Sequence, residues 1–540
     1  MPDSDVFFLS AAHGAITRLL DAIVEGSSGA SGARAEAPSR LARDDALSLA
    51  RALGGAVKAQ VYAESIACAG RAVYAAAKDA KLRRAVVRAS KVGREGPKSG
   101  SYALDVRPWT ASVAESMRER LPFLRPGPLG GGASVGLGDR LGCATVGHAR
   151  AAGATELVPA FAQQSAREMS RTGRSPSDVL DDATWGVFVS GWRRPWGADA
   201  DHLKTIEDID RCASAGFVTF TLDPSDCVDD AASTDPADVL RRKLDAAPWG
   251  ALETTLADCR RRHVGGADHA DEEAFARAAA KYCAAIARAA ELARHVASRL
   301  SPRPFEIEIS LDETSSPTTP FEHRFVALEL ARLGVRPASV AVRFVGEFEK
   351  GVDYKGDLER LARDAESHAE VARELGPYKL SVHSGSDKFS AYPVLARAAR
   401  GAIHLKTAGT SWLEALRTVA ETDLGLFCEI VAVARARYAE DRKSYHVSAR
   451  CEDLPAAELT EASARGLLDR PGARQVLHVT YGSVLAARAA SGETLGEEIR
   501  RLLDQNEELH WANVERHLAR HLEPFAARRM GSDRQGEGSR

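Results

Sequence analysis

From residue 126 onward the chain repeats one rhythm, a short apolar run followed by a helical stretch, eight times over. The runs lie at 134–141, 157–162, 197–203, 217–223, 305–312, 340–347, 379–383 and 402–407. Helical spacing fills most of the gaps, as at 205–215, 324–333, 357–375 and 392–400. Eight strand–helix units predict an α/β fold, a parallel (β/α)8 TIM-like barrel, with a doubly wound open sheet as the rival. The Pro- and Gly-rich string PGPLGGG at 126–132 marks where the rhythm begins.

The flanks read differently. Residues 1–125 are Ala-rich and predict a helical N-terminal region, with helical spacing over 43–80 (Ala46, Leu49, Ala50, Leu53) and loops at 26–39 and 93–101. The fourth unit is stretched, which predicts a helical insertion at about 228–302 within a barrel domain of 126–425 and a long helix over 273–300. Residues 426–530 predict a helical C-terminal extension with one strand-like run at 476–484, and 531–540 a disordered tail. Lys+Arg is 72 against Asp+Glu 75, a net charge of −3, so a nucleic-acid or anionic-membrane partner is not expected. No stretch of 18 apolar residues exists and no basic, secretory-type N-terminus is visible. The eight cysteines are scattered without a C-x-x-C pair, the pattern of reduced thiols in a cytoplasmic protein.

Period-two alternation assigns side chains to the barrel interior. In FEIEISLDET at 305–314, Phe305, Ile307, Ile309 and Leu311 face the helices, and Glu306, Glu308, Ser310 and Asp312 face in. Likewise Ser381, His383, His404 and Lys406 face in, and one phase of 197–204 turns Ala198, Ala200 and His202 inward. Arg343 and Glu347 share a face. Barrel active sites collect at the C-terminal strand ends, where His202, His383 and His404 would offer three imidazoles to a divalent ion. Asp201 and the pair Glu306 and Glu308 are carboxylates suited to acid/base work. Each histidine also reads as a hydrogen-bonded core residue, and Glu306 and Glu308 also read as a salt-bridge network with Arg343. Cys227 and Cys428 read as buried thiols.

Seven longer strings carry a family resemblance: GDRLG (138–142), FAQQS (161–165), WGADADHLKT (196–205), FEIEISLDET (305–314), RFVGEFEKG (343–351), HSGSDKFS (383–390) and HLKTAGTS (404–411). With HLEPF at 521–525 they resemble the tagaturonate/fructuronate epimerase family over roughly 130–525. The resemblance implies a divalent-metal isomerase (Zn, Mn, Co, Ni or Fe) that interconverts two hexulosonates in hexuronate catabolism. It implies His202, His383 and His404 as ligands, Asp201 with Glu308 or Glu306 as acid/base, and a small sugar-acid substrate as partner. Departures are Cys227 in TLDPSDCVD (221–229), where a histidine is expected, and an enlarged N-terminus. Candidate substrate-binding residues are Arg140, Gln164, Lys204, Arg343, Lys350, Asp387, Lys388 and Lys406, with Lys406 best placed inside for a carboxylate.

The two hexulosonates differ at a carbinol β to the ketone, whose C–H the ketone does not acidify. Enolisation therefore cannot invert it. Retro-aldol cleavage, rotation of the aldehyde and re-addition can, as can transient oxidation by a nicotinamide. The chain has no dinucleotide fingerprint, so NAD is not expected and retro-aldol is favoured. The alternatives are an epimerase of a neutral ketohexose, a metal-dependent aldolase, and a non-catalytic sugar-binding protein.

Overall fold

The computed structural model describes residues 5–9, 14–28, 43–91, 102–265, 271–456, 459–489 and 491–526. Eight parallel strands close into a barrel: β7 (Ser134–Gly136), β8 (Val158–Ser165), β9 (Gly197–Leu203), β10 (Thr219–Leu222), β11 (Glu306–Ser310), β12 (Ser339–Ala341), β13 (Lys379–Val382) and β14 (Ile403–Lys406). They follow one another in chain order, and β14 closes on β7. All eight coincide with the apolar runs of the sequence. Ile307, Ile309, Leu380, Val382, Ile403 and Leu405 pack into the core shared with the outer helices, so the polar residues alternating with them point inward.

The phase on β9 is the opposite of the one named above: Asp199 and Asp201 point in. The β9–β10 register slips between Phe220 and Leu222, which pair with Ala200 and Leu203. The bulge inserts one extra residue, and His202 takes φ 49°, in the left-handed region. Two consecutive side chains, Asp201 and His202, thereby reach the same end of the barrel.

The N-terminal region is not purely helical. Helices Gly14–Ser28 and Arg43–Val57 accompany a six-stranded antiparallel sheet of β1 (Asp5–Leu9), β2 (Gln60–Val61), β3 (Ala67–Ala69), β4 (Ala72–Lys78), β5 (Arg84–Lys91) and β6 (Tyr102–Pro108). Helical spacing over 43–80 thus holds only to Val57. Strand β4 is buried at all seven positions. Ala72, Tyr74 and Ala76 join the barrel core, while Val73, Ala75 and Ala77 pack under the sheet's own helices. A strand buried on both faces shows no alternation, and its alanines read as helix. Of the loop read at 26–39, residues 26–28 end the first helix and the rest lies outside the described residues, as do 93–101 and 531–540.

Between β10 and β11 lie helices Ala237–Ala246, Leu256–His263 and Glu272–Leu300. After the barrel the described chain is helical. The strand-like run 476–484 falls within helices Pro471–Val479 and Tyr481–Ala486, started by Pro471 at a first-turn position. Helix Glu507–Leu522 returns to pack on Thr145–Gly153, closely enough that a Cβ on Gly147 would lie 2.8 Å from the Trp511 carbonyl oxygen. Among the described residues no helix is long and apolar enough to cross a membrane.

Glu306 opens β11 at the N-terminal end of the barrel, away from the strand ends expected to carry chemistry. Its carboxylate accepts the backbone N–H groups of Leu129 and Gly130, each at 2.8 Å, and so anchors the chain entering the barrel. Glu306→Gln is expected to lower stability by about 1–2 kcal/mol in chemical denaturation. Its kcat is expected to stay at the wild-type value, because the side chain is at the wrong end of the barrel.

Candidate active site

Lys406, last residue of β14, stands at the centre of a buried polar cluster. Its ammonium donates to Asp201 at 2.6 Å and to the Thr221 hydroxyl at 2.6 Å. It also lies 2.8 Å from Glu308 and 3.0 Å from Asp199. Glu308 accepts from the Ser339 hydroxyl at 2.6 Å and lies 2.7 Å from His383 Nε2. His383 Nδ1 is 2.9 Å from Asp312. His202 Nδ1 is 3.0 Å from Asp223, and its ring centroid is 4.8 Å from that of His383. Gln163 Nε2 donates to the other oxygen of Asp201 at 3.0 Å.

Burial opposes every charge here, and the opposite charges outweigh it. The three carboxylates hold Lys406 well above the lysine range. Lys406 and His383 hold Glu308 well below the carboxylate range, and Lys406 with the two imidazoles does the same for Asp201. Asp312 and Glu308 push His383 up to about 10, and Asp201 and Asp223 raise His202. Imidazoles and carboxylates at this end of the barrel are thus paired, His202 with Asp223 and His383 with Glu308 and Asp312.

His404 does not join His202 and His383. Strand register pairs it with Ser381 and with Ser134, the first residue of β7, two residues below the level of His383. Its Nδ1 is 2.8 Å from the Ser134 hydroxyl, which also accepts from Lys379, and burial lowers its pKa. It belongs to the barrel's lower interior rather than to the mouth. Three groups among the described residues bring donor atoms within 4.8 Å of one another, and the one at the barrel mouth is His202, Asp223 and Glu313. With His383 alongside, this is a mixed nitrogen and oxygen donor set of the kind borderline divalent ions accept.

Among the residues expected to bind substrate, Arg140 is buried and neutralised: it is 2.7 Å from Glu168 and stacks 3.7 Å over the Tyr481 ring. Gln164 turns outward, 3.0 Å from Arg174, and it is Gln163 that reaches the cluster. Lys204 is taken up by Ser225 and Asp226. Arg343 bonds the Thr314 carbonyl and lies 3.7 Å from Glu347, at the outer wall. Asp387 faces away from the mouth, 2.7 Å from His517 and 3.2 Å from Arg474, while its N–H donates to His521 at 2.9 Å. Lys388 is buried, with its ammonium on the carbonyls of Glu349, Val352 and Ser386 at 2.6–2.8 Å. These two brace the loop that follows His383. Lys350 and Lys406 line the cleft, as do the paired Arg140 and Arg343.

The cleft opens above the cluster at the C-terminal strand ends. Its inner and outer parts share Arg167, His202, Lys350, His383, Ser384 and Tyr445. Sequence reasoning gave no role to Asp199, Asp223, Asp312, Glu313, Gln163 or Arg167. The available signal was position: Asp223 closes the 217–223 run and Asp312 closes 305–312. Cys227, the departure noted above, is only partly buried, beside Asp223 in the loop after β10.

Lys406→Met would leave Asp199, Asp201 and Glu308 facing one another without a cation. The expected destabilisation is about 3–5 kcal/mol in urea denaturation near neutral pH. Wild-type stability from the depressed carboxylates is present above their unfolded pKa and lost as pH falls through the folded values. In the variant the carboxylates are raised instead, so its deficit is expected to shrink as pH falls.

Known proteins share this sequence and fold. Residues 62–525 match the model of the tagaturonate epimerase family, UxaE. A tagaturonate/fructuronate epimerase of Thermotoga maritima is 43% identical over 418 residues, 76% of this chain and 84% of that protein. A glycerol complex of the fructuronate-tagaturonate epimerase UxaE of Cohnella laeviribosi superposes with a TM-score of 0.80 at 32% identity, covering 89% of this chain and 99% of that one. The native crystal structure of that enzyme gives a TM-score of 0.79 with the same coverage. The chain, with its eight-stranded barrel and acid-rich mouth, belongs to the tagaturonate epimerase family.

Proposed function

We propose that this protein interconverts D-tagaturonate and D-fructuronate, with a divalent metal ion, by retro-aldol cleavage and re-addition. The observation that supports it best is the convergence of His202, His383, Asp201, Asp223, Glu308 and Asp312 around one end of a barrel of this family. His202, Asp223 and Glu313, with His383, would hold the ion, a borderline divalent cation of the Mn-to-Zn series. When bound, it supplies Lewis-acid polarisation of the substrate's ketone. His404 is left out of this ligand set.

The acid/base work falls to Asp201 and Glu308. One carboxylate takes the proton of the β-hydroxyl. The bond between that carbinol carbon and its neighbour next to the ketone then breaks, its electron pair passing to the ketone side and the carbinol becoming an aldehyde. The aldehyde turns, the same carbon–carbon bond re-forms on the opposite face, and the new alkoxide takes back a proton from the second acid, which the Lys406 ammonium between the two has protonated while recovering the proton held by the first. Two acid/base groups are needed because the oxygen changes sides. Asp201 and Glu308 stand 2.6 and 2.8 Å from the same Lys406 ammonium, which ties their protonation states together. All eight cysteines are free, which supports a reducing, cytoplasmic setting.

Purified protein is expected to carry one divalent ion and to convert tagaturonate to fructuronate in a proton NMR assay, with chelator abolishing conversion and added metal restoring it. His383→Ala is expected to lose metal and activity together; a variant that keeps stoichiometric metal removes His383 from the ligand set. Glu308→Gln is expected to keep metal and lose about 10²–10⁴ in kcat. Since Asp312 and Glu308 favour the protonated form of His383, metal binding is expected to release protons and to tighten as pH rises, read by calorimetry in two buffers.

A further inference from the structure

A substrate carboxylate needs a cation whose charge is not already used. Most cations at this cleft fail that test. Arg140 is paired with Glu168, Lys406 with three carboxylates and Arg343 with Glu347. Two remain. Arg167 and Lys350 line both the inner and the outer part of the cleft, and neither forms an ion pair among the described residues.

Both are held in place by contacts that leave their charged ends free. Arg167 lies on the short helix Ala166–Thr172 that follows β8, with its guanidinium 5.2 Å over the ring of Tyr445. Tyr445 comes from the C-terminal extension and is itself fixed by Arg171, which donates to its hydroxyl at 2.6 Å. Stacking on a ring face orients a guanidinium without consuming its N–H donors. Glu313 and Glu168, the carboxylates whose charge acts on Arg167, form no ion pair with it. Lys350 has its backbone pinned, its carbonyl accepting from Gln475 at 3.1 Å, and the adjacent Glu349 is taken up by Gln475, Ser448 and Lys355.

We infer that Arg167 and Lys350 form the carboxylate clamp of this enzyme: they hold the acid end of the sugar at the mouth while the ketone and carbinol reach the deeper polar cluster. Lys406, the cation the sequence favoured for this role, is instead committed to the acid/base carboxylates. The clamp makes Arg167 the residue that separates sugar acids from neutral ketoses. This inference rests on the substrate being a hexulosonate.

The test is calorimetric binding of D-tagaturonate and of D-tagatose, its uncharged counterpart, to the metal-loaded wild-type protein and to Arg167→Gln. Loss of a charge-assisted bidentate contact is expected to raise Kd for tagaturonate about 30-fold. The Kd for tagatose is expected to stay unchanged. Arg167→Lys should recover part of the affinity, because it restores the charge without the fork. Lys350→Gln should show the same ligand selectivity. Equal weakening of both ligands would make Arg167 a wall of the cleft, and unchanged tagaturonate binding would place the carboxylate elsewhere; either result overturns the clamp. Turnover by the wild-type protein reports the activity separately, so the two readings fail independently.

Discussion

One buried ammonium organises the interior of this barrel. Lys406 pairs with Asp199, Asp201 and Glu308, which come from three different positions on two other strands, β9 and β11. Without it the three carboxylates would be unpaired charges in a low-dielectric space, each carrying a desolvation penalty of several kcal/mol. With it Asp201 and Glu308 are held ionised, and a surplus of negative charge remains at the mouth. That surplus draws the imidazoles of His202 and His383 into cationic pairs and suits the site to a divalent ion. Acid/base groups and metal donors thus depend on the same charge balance.

The scaffold brings these groups together by local departures from regular structure. The bulge on β9 lets Asp201 and His202 serve one site from adjacent positions, and the left-handed backbone of His202 is the strain accepted for it. The loop after His383 is clamped from behind. Asp387, also at positive φ, is gripped by Arg474, His517 and His521 of the C-terminal extension. Lys388 ties the same loop to the carbonyls at 349 and 352. The extension is therefore part of the active-site architecture, since it also presents Tyr445 to the cleft.

Much of this was legible in the residue order, and the misses have physical causes. All eight barrel strands announced themselves as apolar runs, and on β11, β13 and β14 simple alternation placed Glu308, Ser381, His404 and Lys406 inside. Alternation fails where register slips. The bulge on β9 reversed the phase, and on β8, where the register slips between Ala160 and Ala162, it is Gln163 that reaches the cluster. Facing inward also does not fix depth: Glu306 and His404 point in but lie at or toward the N-terminal end. The Ala-rich β4 was read as helix because both its faces are buried. The run 476–484 reads as a strand although it lies in the helices over 471–486, because a short apolar run carries too few turns to reveal its period. Arg167 could not be singled out without knowing which cations already have partners.

The central claim is that the carbinol is inverted by breaking and remaking a carbon–carbon bond. The most direct measurement is proton and deuterium NMR of the fructuronate formed from tagaturonate by the metal-loaded enzyme in D2O. Retro-aldol chemistry keeps the hydrogen on the inverted carbon throughout, so that position is expected to contain no solvent deuterium. Deuterium at the inverted carbon would mean that its C–H bond had been broken by proton abstraction, and would contradict the account.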